Sequence, residues 1–378
     1  MKNYNFIHIF LNSSRIFNTA TQNLINELDL PYRHLFVYAF KEDTKNVSAD
    51  NSIFDKSVCR TVGLKKYFEI GDYIIIHALN YTPKDITQLT DEECKRIIWC
   101  VWGHDLYTVE AKHNIFYLLA RTIYRILKRR KYYDTKAYDT KAAEKISKFK
   151  CIAAGFVGDK FTIKEKFGKH VALYQALYPM GYCSTDLEKW EEPCKQYDSL
   201  RILLGHSAYQ FLNHDFWIEK LKPYKDKIEL YLPLSYGNDE YAKEIKVKAI
   251  NVFGGDKVYC LEKFTSSKEY FKYLCNIDIA IFDYKHQSAF GNILLLLYLK
   301  KRIYLNPNGI MYKGLKSVGL DVFTTDELIE REFHKKLCCN ISDINRKYTK
   351  EMLDYSNIKL QWKNLFKQIY TDDVGKAL

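Results

Sequence analysis

The sequence predicts an α/β protein made of two doubly wound halves, each a parallel sheet flanked by helices. Three observations carry that expectation. Short β-branched apolar runs of strand length alternate with longer segments of helical spacing along most of the chain, the pattern of successive βαβ units. The alternation stops between Pro179 and Ser199, a stretch that holds two of the seven prolines and the acidic residues Glu188, Glu191 and Glu192. A chain of 378 residues with 47% hydrophobic content is long enough for two cores of ordinary size. The resulting division is a first domain over residues 1–178, a linker over 179–199, a second domain over 200–345 and a helical segment over 346–378.

In the first half, strands are expected at Phe6 to Leu11, His34 to Phe40, Tyr73 to Leu79, Ile97 to Trp102 and Cys151 to Phe156, with a helix from Ser14 to Leu28 behind a serine cap. In the second half they are expected at Leu200 to Leu204, Ile228 to Leu232, Val258 to Leu261, Asp278 to Phe282 and Ile303 to Leu305. Helical segments begin near Asn213, Asn238, Ser266 and Ser288. Near the end, Ser356 to Tyr370 has helical spacing with Trp362 and Phe366, as of a helix that packs back across the domain junction. The clearest unit is Asp278 to Asn306. There a strand, a loop with Gln287 and Gly291, an apolar helix and a second strand follow within about thirty residues, which makes the strands parallel and puts the loop at their carboxyl edge.

Composition narrows the partners. The net charge of +12 points to an anion: nucleotide, nucleic acid or anionic lipid. Arg121, Arg125, Lys128, Arg129, Arg130 and Lys131 follow a helix with apolar residues every four positions, so this basic amphipathic segment either lies on an anionic bilayer or packs on its own sheet. On a bilayer each such residue contributes roughly 1 kcal/mol. No ribonucleoprotein or helix-turn-helix pattern supports nucleic acid as the partner. The tandem Tyr133 to Ala137 and Tyr138 to Ala142 reads as a tolerated surface insertion. No run of about 18 uncharged apolar residues occurs, and the amino terminus enters a strand pattern directly, so a cytosolic protein is expected. The ten cysteines, none in zinc spacing, read as reduced thiols.

Open α/β sheets bind ligands at the carboxyl edge, so the candidate residues are those at strand ends. In the first half, Trp102, Gly103, Asp105 and Tyr107 lead out of a strand. Asp105 either caps the following helix or acts as a general base, and His77 and Asn80 end the strand before it. In the second half, Gly205 and Ser207 leave room for a phosphate that His214 reaches from the next helix. Tyr236 follows the second strand, Glu262 the third, and Gln287, Gly291 and Asn292 the fourth, where unpaired helix amides attract a phosphate. The same unit is also compatible with an ordinary βαβ turn. There is no Gly-x-x-x-x-Gly-Lys-Ser/Thr, no Gly-x-Gly-x-x-Gly and no Asp-x-Asp, so neither cofactor nor metal is expected.

These residues resemble those of the bacterial 4-acetamido-4,6-dideoxygalactose (Fuc4NAc) transferases, two-domain GT-B glycosyltransferases. Trp102-Gly103-His104-Asp105-Leu106-Tyr107 matches the family's Trp-Gly-x-Asp-Leu-Tyr, and His77 with Asn80 its His-x-x-Asn. Gly205, Ser207, His214, Pro233, Tyr236, Glu262, Gln287 and Gly291 keep the family's spacing. Its Gly-Asn-Ser-Gly-Asp becomes Gly205-His-Ser-Ala-Tyr209, and its following Ser-Asn becomes Phe211-Leu212. The resemblance implies two facing domains with a cleft. The nucleotide-sugar donor is held on the second domain without metal, and a polyprenyl-diphosphate-linked glycan docks beside Asn80, Trp102, Gly103 and Tyr107 on the first. Asp105 or His77 acts as base, and the enzyme sits peripherally on the cytoplasmic face of the inner membrane. Two other classes fit the same pattern: a different nucleotide-sugar enzyme, such as a capsule transferase or an epimerase, and a non-enzymatic membrane or nucleic-acid binding module.

Overall fold

The computed structural model describes residues 2–12, 14–41, 51–107, 140–192, 198–334 and 341–374. The basic residues Arg121 to Lys131 and most of the tandem repeat lie outside these. The chain divides into two compact units, one of residues 1–155, 159–176 and 361–378, the other of 156–158 and 177–360.

The first unit is a seven-stranded parallel sheet. Its strands are β1 (Tyr4–Phe10), β2 (His34–Tyr38), β3 (Ser52–Phe54), β4 (Gly71–His77), β5 (Ile97–Val101), β6 (Cys151–Ala154) and β7 (Leu173–Gln175), in the order β3-β2-β1-β4-β5-β6-β7. The central strands are buried along nearly their whole length, because helices cover both faces of a parallel sheet; this is why Tyr73 to Ile76 is uninterruptedly apolar. Ser14 precedes the helix Arg15–Asn26 as expected, although its hydroxyl makes no capping bond. The last helix, Tyr355–Val374, contributes its second half to this unit. Phe366 packs on Phe6 with ring centroids 4.7 Å apart, Trp362 is fully buried, and the Tyr370 hydroxyl donates to Asp72 Oδ2 at 2.7 Å.

The second unit repeats the plan with six parallel strands: β8 (Leu200–Leu204), β9 (Ile228–Pro233), β10 (Val258–Leu261), β11 (Ile279–Phe282), β12 (Arg302–Leu305) and β13 (Phe323–Thr324), ordered β10-β9-β8-β11-β12-β13. Helices start where their caps dictate. Asn238 accepts from the Tyr241 amide at 2.7 Å, and Ser266 forms a reciprocal capping box with Glu269. Arg201, buried in β8, is paired across the sheet to Asp278 at 3.1 Å. The stretch expected to be a bare linker contains the helix Ser184–Trp190, whose Leu187 is buried and whose neighbour Glu191 pairs with Arg346. In both sheets the strand order reverses beside the first strand, between β1 and β4 and between β8 and β11. Connections leave these neighbours in opposite directions, which opens a crevice at the carboxyl edge.

Candidate active site

At the reversal point of the second unit, the loops after β8 and β11 meet. Gly205 has φ +71°, and a Cβ there would lie 2.6 Å from Nε2 of His214, so only glycine fits. His214 is fully buried beneath this loop, its Nδ1 3.3 Å from the Tyr241 hydroxyl. Burial lowers its pKa to about 4, against the opposing charge of Asp215 and the Leu204 carbonyl. It therefore supports the loop from below, in place of the expected reach toward a ligand. The loop after β9 is joined to the same turn: the Ala208 amide donates to the Tyr236 carbonyl at 2.7 Å, and the Asn238 amide to the Ala208 carbonyl at 2.9 Å. Gly237, at φ +120°, permits this approach.

The loop after β11 is braced from three sides. Asp283 accepts from Trp217 Nε1 at 3.0 Å and from Asn306 Nδ2 at 2.7 Å, and its carbonyl accepts from Asn213 Nδ2 at 2.9 Å. The Tyr284 hydroxyl donates to the Ser288 carbonyl at 2.9 Å. Ala289, left-handed at φ +54°, then turns the chain into the helix Phe290–Tyr298 with no side-chain cap. The first amides of that helix, including those of Gly291 and Asn292, are thus left without intrahelical acceptors, beside the partial positive charge of the helix start. A Cβ on Gly291 would meet only Tyr182 and Met180, at 3.7 and 3.8 Å, so packing alone does not demand glycine there.

Sequence reasoning passed over His206, although it stands between two singled-out residues at the end of a strand. It is 5% exposed, its Nε2 lies 3.0 Å from Ser288 Oγ, and burial together with the nearby His214 lowers its pKa to about 3. Around it an aromatic group spans the loops: Tyr236 stacks on the exposed Phe264 at 5.8 Å, and Tyr209 on Phe211 at 5.6 Å. Ser207 is buried in the same turn. Gln287 is half-buried at the loop, whereas Glu262 is exposed and paired with Lys246 at 2.9 Å.

The first unit's reversal point is arranged differently. Asp105 is 2% exposed, and its carboxylate accepts from the Leu79 amide at 2.9 Å, Trp99 Nε1 at 2.7 Å and the Trp102 amide at 2.9 Å. These bonds tie the loop after β4, where Ala78 is left-handed at φ +62°, to the loop after β5, where Gly103 is at φ +102°. Of the two roles the sequence leaves open for Asp105, helix cap or general base, the geometry favours an anchoring one over the base that the resemblance implies. His77 is likewise interior: fully buried, stacked on Phe10 at 4.3 Å and hydrogen-bonded at 3.0 Å to His8, which in turn meets His34 at 3.0 Å. Desolvation lowers the pKa of His77 to about 3 and of His34 to about 4, and holds His8 well below its usual value. A neutral, enclosed imidazole at this place is a core group, not the open one expected.

Tyr107 is also buried, its hydroxyl donating to Asp159 at 2.7 Å, and burial raises the Asp159 pKa to about 7. Trp102 is half-buried, edge-on to Phe17. What this edge does expose is Asn80 and His104, 3.1 Å apart.

Two doubly wound parallel units are the architecture of GT-B glycosyltransferases, and solved structures of that kind match along nearly the whole chain. A glycosyltransferase from Rickettsia africae ESF-5 superposes with a TM-score of 0.57 at 12% identity, covering 98% of this chain and 99% of its own. Anabaena Alr3699/HepE, solved in complex with UDP, gives 0.59 at 11% identity over 96% and 100%. OtsA in its apo form gives 0.57 at 10% over 97% and 99%. These likenesses show the fold; the class, a nucleotide-sugar glycosyltransferase of the hexosyltransferase kind, comes with the family. Within it the chain belongs to the 4-alpha-L-fucosyltransferase family, glycosyl transferase group 56, whose sequence profile matches residues 147–369, more than half of the chain.

Proposed function

We propose that this glycosyltransferase moves a deoxy-amino sugar of the Fuc4NAc kind from a dTDP-linked donor to a polyprenyl-diphosphate-linked saccharide, working peripherally on the cytoplasmic face of a bacterial inner membrane. The family supports the sugar class. The observation that carries the donor half is the uncapped start of the helix Phe290–Tyr298 at the β8/β11 reversal point, where amides and the helix field offset the charge of a diphosphate. Gln287, Gly291 and Asn292 line that start, and Gly205, Ser207 and Tyr236 face it from the loops after β8 and β9. Departure of the nucleoside diphosphate concentrates negative charge on its terminal phosphate, and preorganised donors stabilise that charge most as it develops.

On the acceptor side we assign Asn80, Trp102 and Gly103 to the docking edge of the first unit. The acceptor hydroxyl's proton goes to His104, which is exposed where His77 and Asp105 are enclosed. The overall charge of +12 suits two diphosphate substrates and an anionic surface. No described helix is long and apolar enough to cross a membrane, so the association we propose is peripheral.

The test is incubation with a panel of dTDP-, UDP- and GDP-sugars and a bacterial membrane lipid extract, read by mass spectrometry. A lipid-linked product one deoxy-amino sugar heavier, from the dTDP donor, is expected. Product formed only from UDP- or GDP-sugars would replace the donor assignment, and absence of any lipid-linked product would remove the acceptor.

A further inference from the structure

We propose that His206 is a neutral hydrogen-bond donor to the anionic group bound at the β8/β11 reversal point, presenting Nδ1–H while the Ser288 hydroxyl donates to Nε2. The inference rests on the donor half of the reading above and adds to it a residue and a protonation state. His206 is almost fully enclosed, and its two ring nitrogens are used unequally: Nε2 faces the Ser288 hydroxyl at 3.0 Å, and Nδ1 has no hydrogen-bond partner among the described residues. A buried polar atom left unsatisfied costs about 1–3 kcal/mol, so an unpaired ring nitrogen enclosed beside the Ser288 loop signals a missing partner.

The second observation is the helix that follows. Ser288 lies two residues before Phe290, the first residue of a nine-residue helix whose leading amides have no side-chain cap. The same loop that receives the histidine thus delivers the amides, and the two sets of donors belong to one site. The Ser288 carbonyl is occupied by the Tyr284 hydroxyl, which holds the loop in place. When the Ser288 hydroxyl donates to Nε2, the single proton of a neutral imidazole must sit on Nδ1. Enclosure among Tyr236, Phe282 and Tyr284, with ring centroids 6.2, 6.4 and 5.8 Å away, disfavours the charged ring. His206 then meets a phosphate as an uncharged donor, as the helix amides do.

The experiment compares wild type with His206→Asn, which keeps a donor at the Nδ1 position, and His206→Gln, which keeps one near Nε2. Titration calorimetry with dTDP, UDP and inorganic pyrophosphate is run beside ¹⁵N spectra of the histidine ring. Expected are a loss of at least tenfold in dTDP affinity for H206Q, less than about threefold for H206N, and a displaced Nδ1 resonance, with neutral-ring ¹⁵N shifts, in wild type on binding. The ring spectrum needs no variant and stands even if H206Q folds poorly. Equal losses in both variants, unchanged affinity in H206Q, or an Nδ1 signal that does not respond while dTDP binds would overturn the role of His206 alone. If wild type binds none of the three, the donor-site reading itself fails, and with it this inference.

Discussion

The two units share one topology and place different side chains at its reversal point. At the β1/β4 reversal point of the first, the side chains turn inward: Asp105 takes three hydrogen bonds, His77 joins a chain of histidines under Trp362 and Phe366, and Tyr107 is bonded to Asp159. Both points have a helix start without a side-chain cap, after Ser14 in the first and after Ala289 in the second; at the β8/β11 point that start is joined by a buried nitrogen of His206 with no hydrogen-bond partner among the described residues. A reversal point supplies a crevice, but whether that crevice binds an anion depends on whether its polar groups are already paired. Under the proposed function the difference favours the second unit as the donor side, and it leaves the buried Asp105, His77 and Tyr107 of the first with structural partners.

This contrast can be broken experimentally, most strongly in the first unit's core. Trp362→Ala removes a fully buried indole and is expected to cost about 3–5 kcal/mol in chemical denaturation. Gly205→Ala places a Cβ 2.6 Å from His214 in a left-handed turn; it should cost about 1–3 kcal/mol and abolish detectable nucleotide binding by calorimetry, because the loop must shift. Asp105→Ala strands three donors and should lower stability by about 1–3 kcal/mol while dTDP affinity changes less than twofold. His104→Ala should do the reverse, leaving the melting temperature intact and reducing turnover. Turnover unchanged in His104→Ala but lost in a folded Asp105→Asn would return the base to Asp105.

Acid should weaken the first unit through its histidines. In the folded chain His77 and His34 take protons only near pH 3 and 4, and His8 is likewise held well below its usual value, whereas unfolded histidines take them near the ordinary value of about 6.5. Between these limits the unfolded state binds more protons, so stability is full above about pH 6.5 and falls as pH drops toward 4. His34→Phe, which removes the outermost member of the chain, should flatten that slope in denaturation curves taken at successive pH values. The smallest expected stability change is the most telling. Gly291→Ala meets no close neighbour and should leave the fold unchanged or slightly more stable, since alanine suits a helix better than glycine. Its dTDP affinity should nevertheless fall several-fold if a phosphate rests on those amides.

Much of this organisation was legible in the sequence. The apolar runs located every interior strand of both sheets, because a parallel strand covered on both faces is a continuous apolar segment. The three strands passed over, β3, β7 and β13, are two or three residues long and lie at sheet edges, where burial writes little into composition. The helix Ser184–Trp190 was hidden in the acidic stretch because only Leu187 and Ser184 are buried. At the site, strand ends and glycines pointed to the right loops. What spacing does not encode is direction: Asp105 and His77 occupy strand ends yet face inward, and His214 lies under a loop that it was expected to overlook. His206 was missed because a histidine's role depends on the partner of each ring nitrogen, and Ser288 is 82 residues away in the chain.

On the proposed function, the second unit's reversal point holds the nucleoside diphosphate. The most direct test is an ¹⁵N amide titration of the whole chain with dTDP. The account predicts saturable shifts concentrated at Gly205 to Ala208 and Phe290 to Asn292, with Leu79, Trp102 and Asp105 unmoved. Shifts centred on the loops after β4 and β5, with the amides of Phe290 to Asn292 silent, would contradict it.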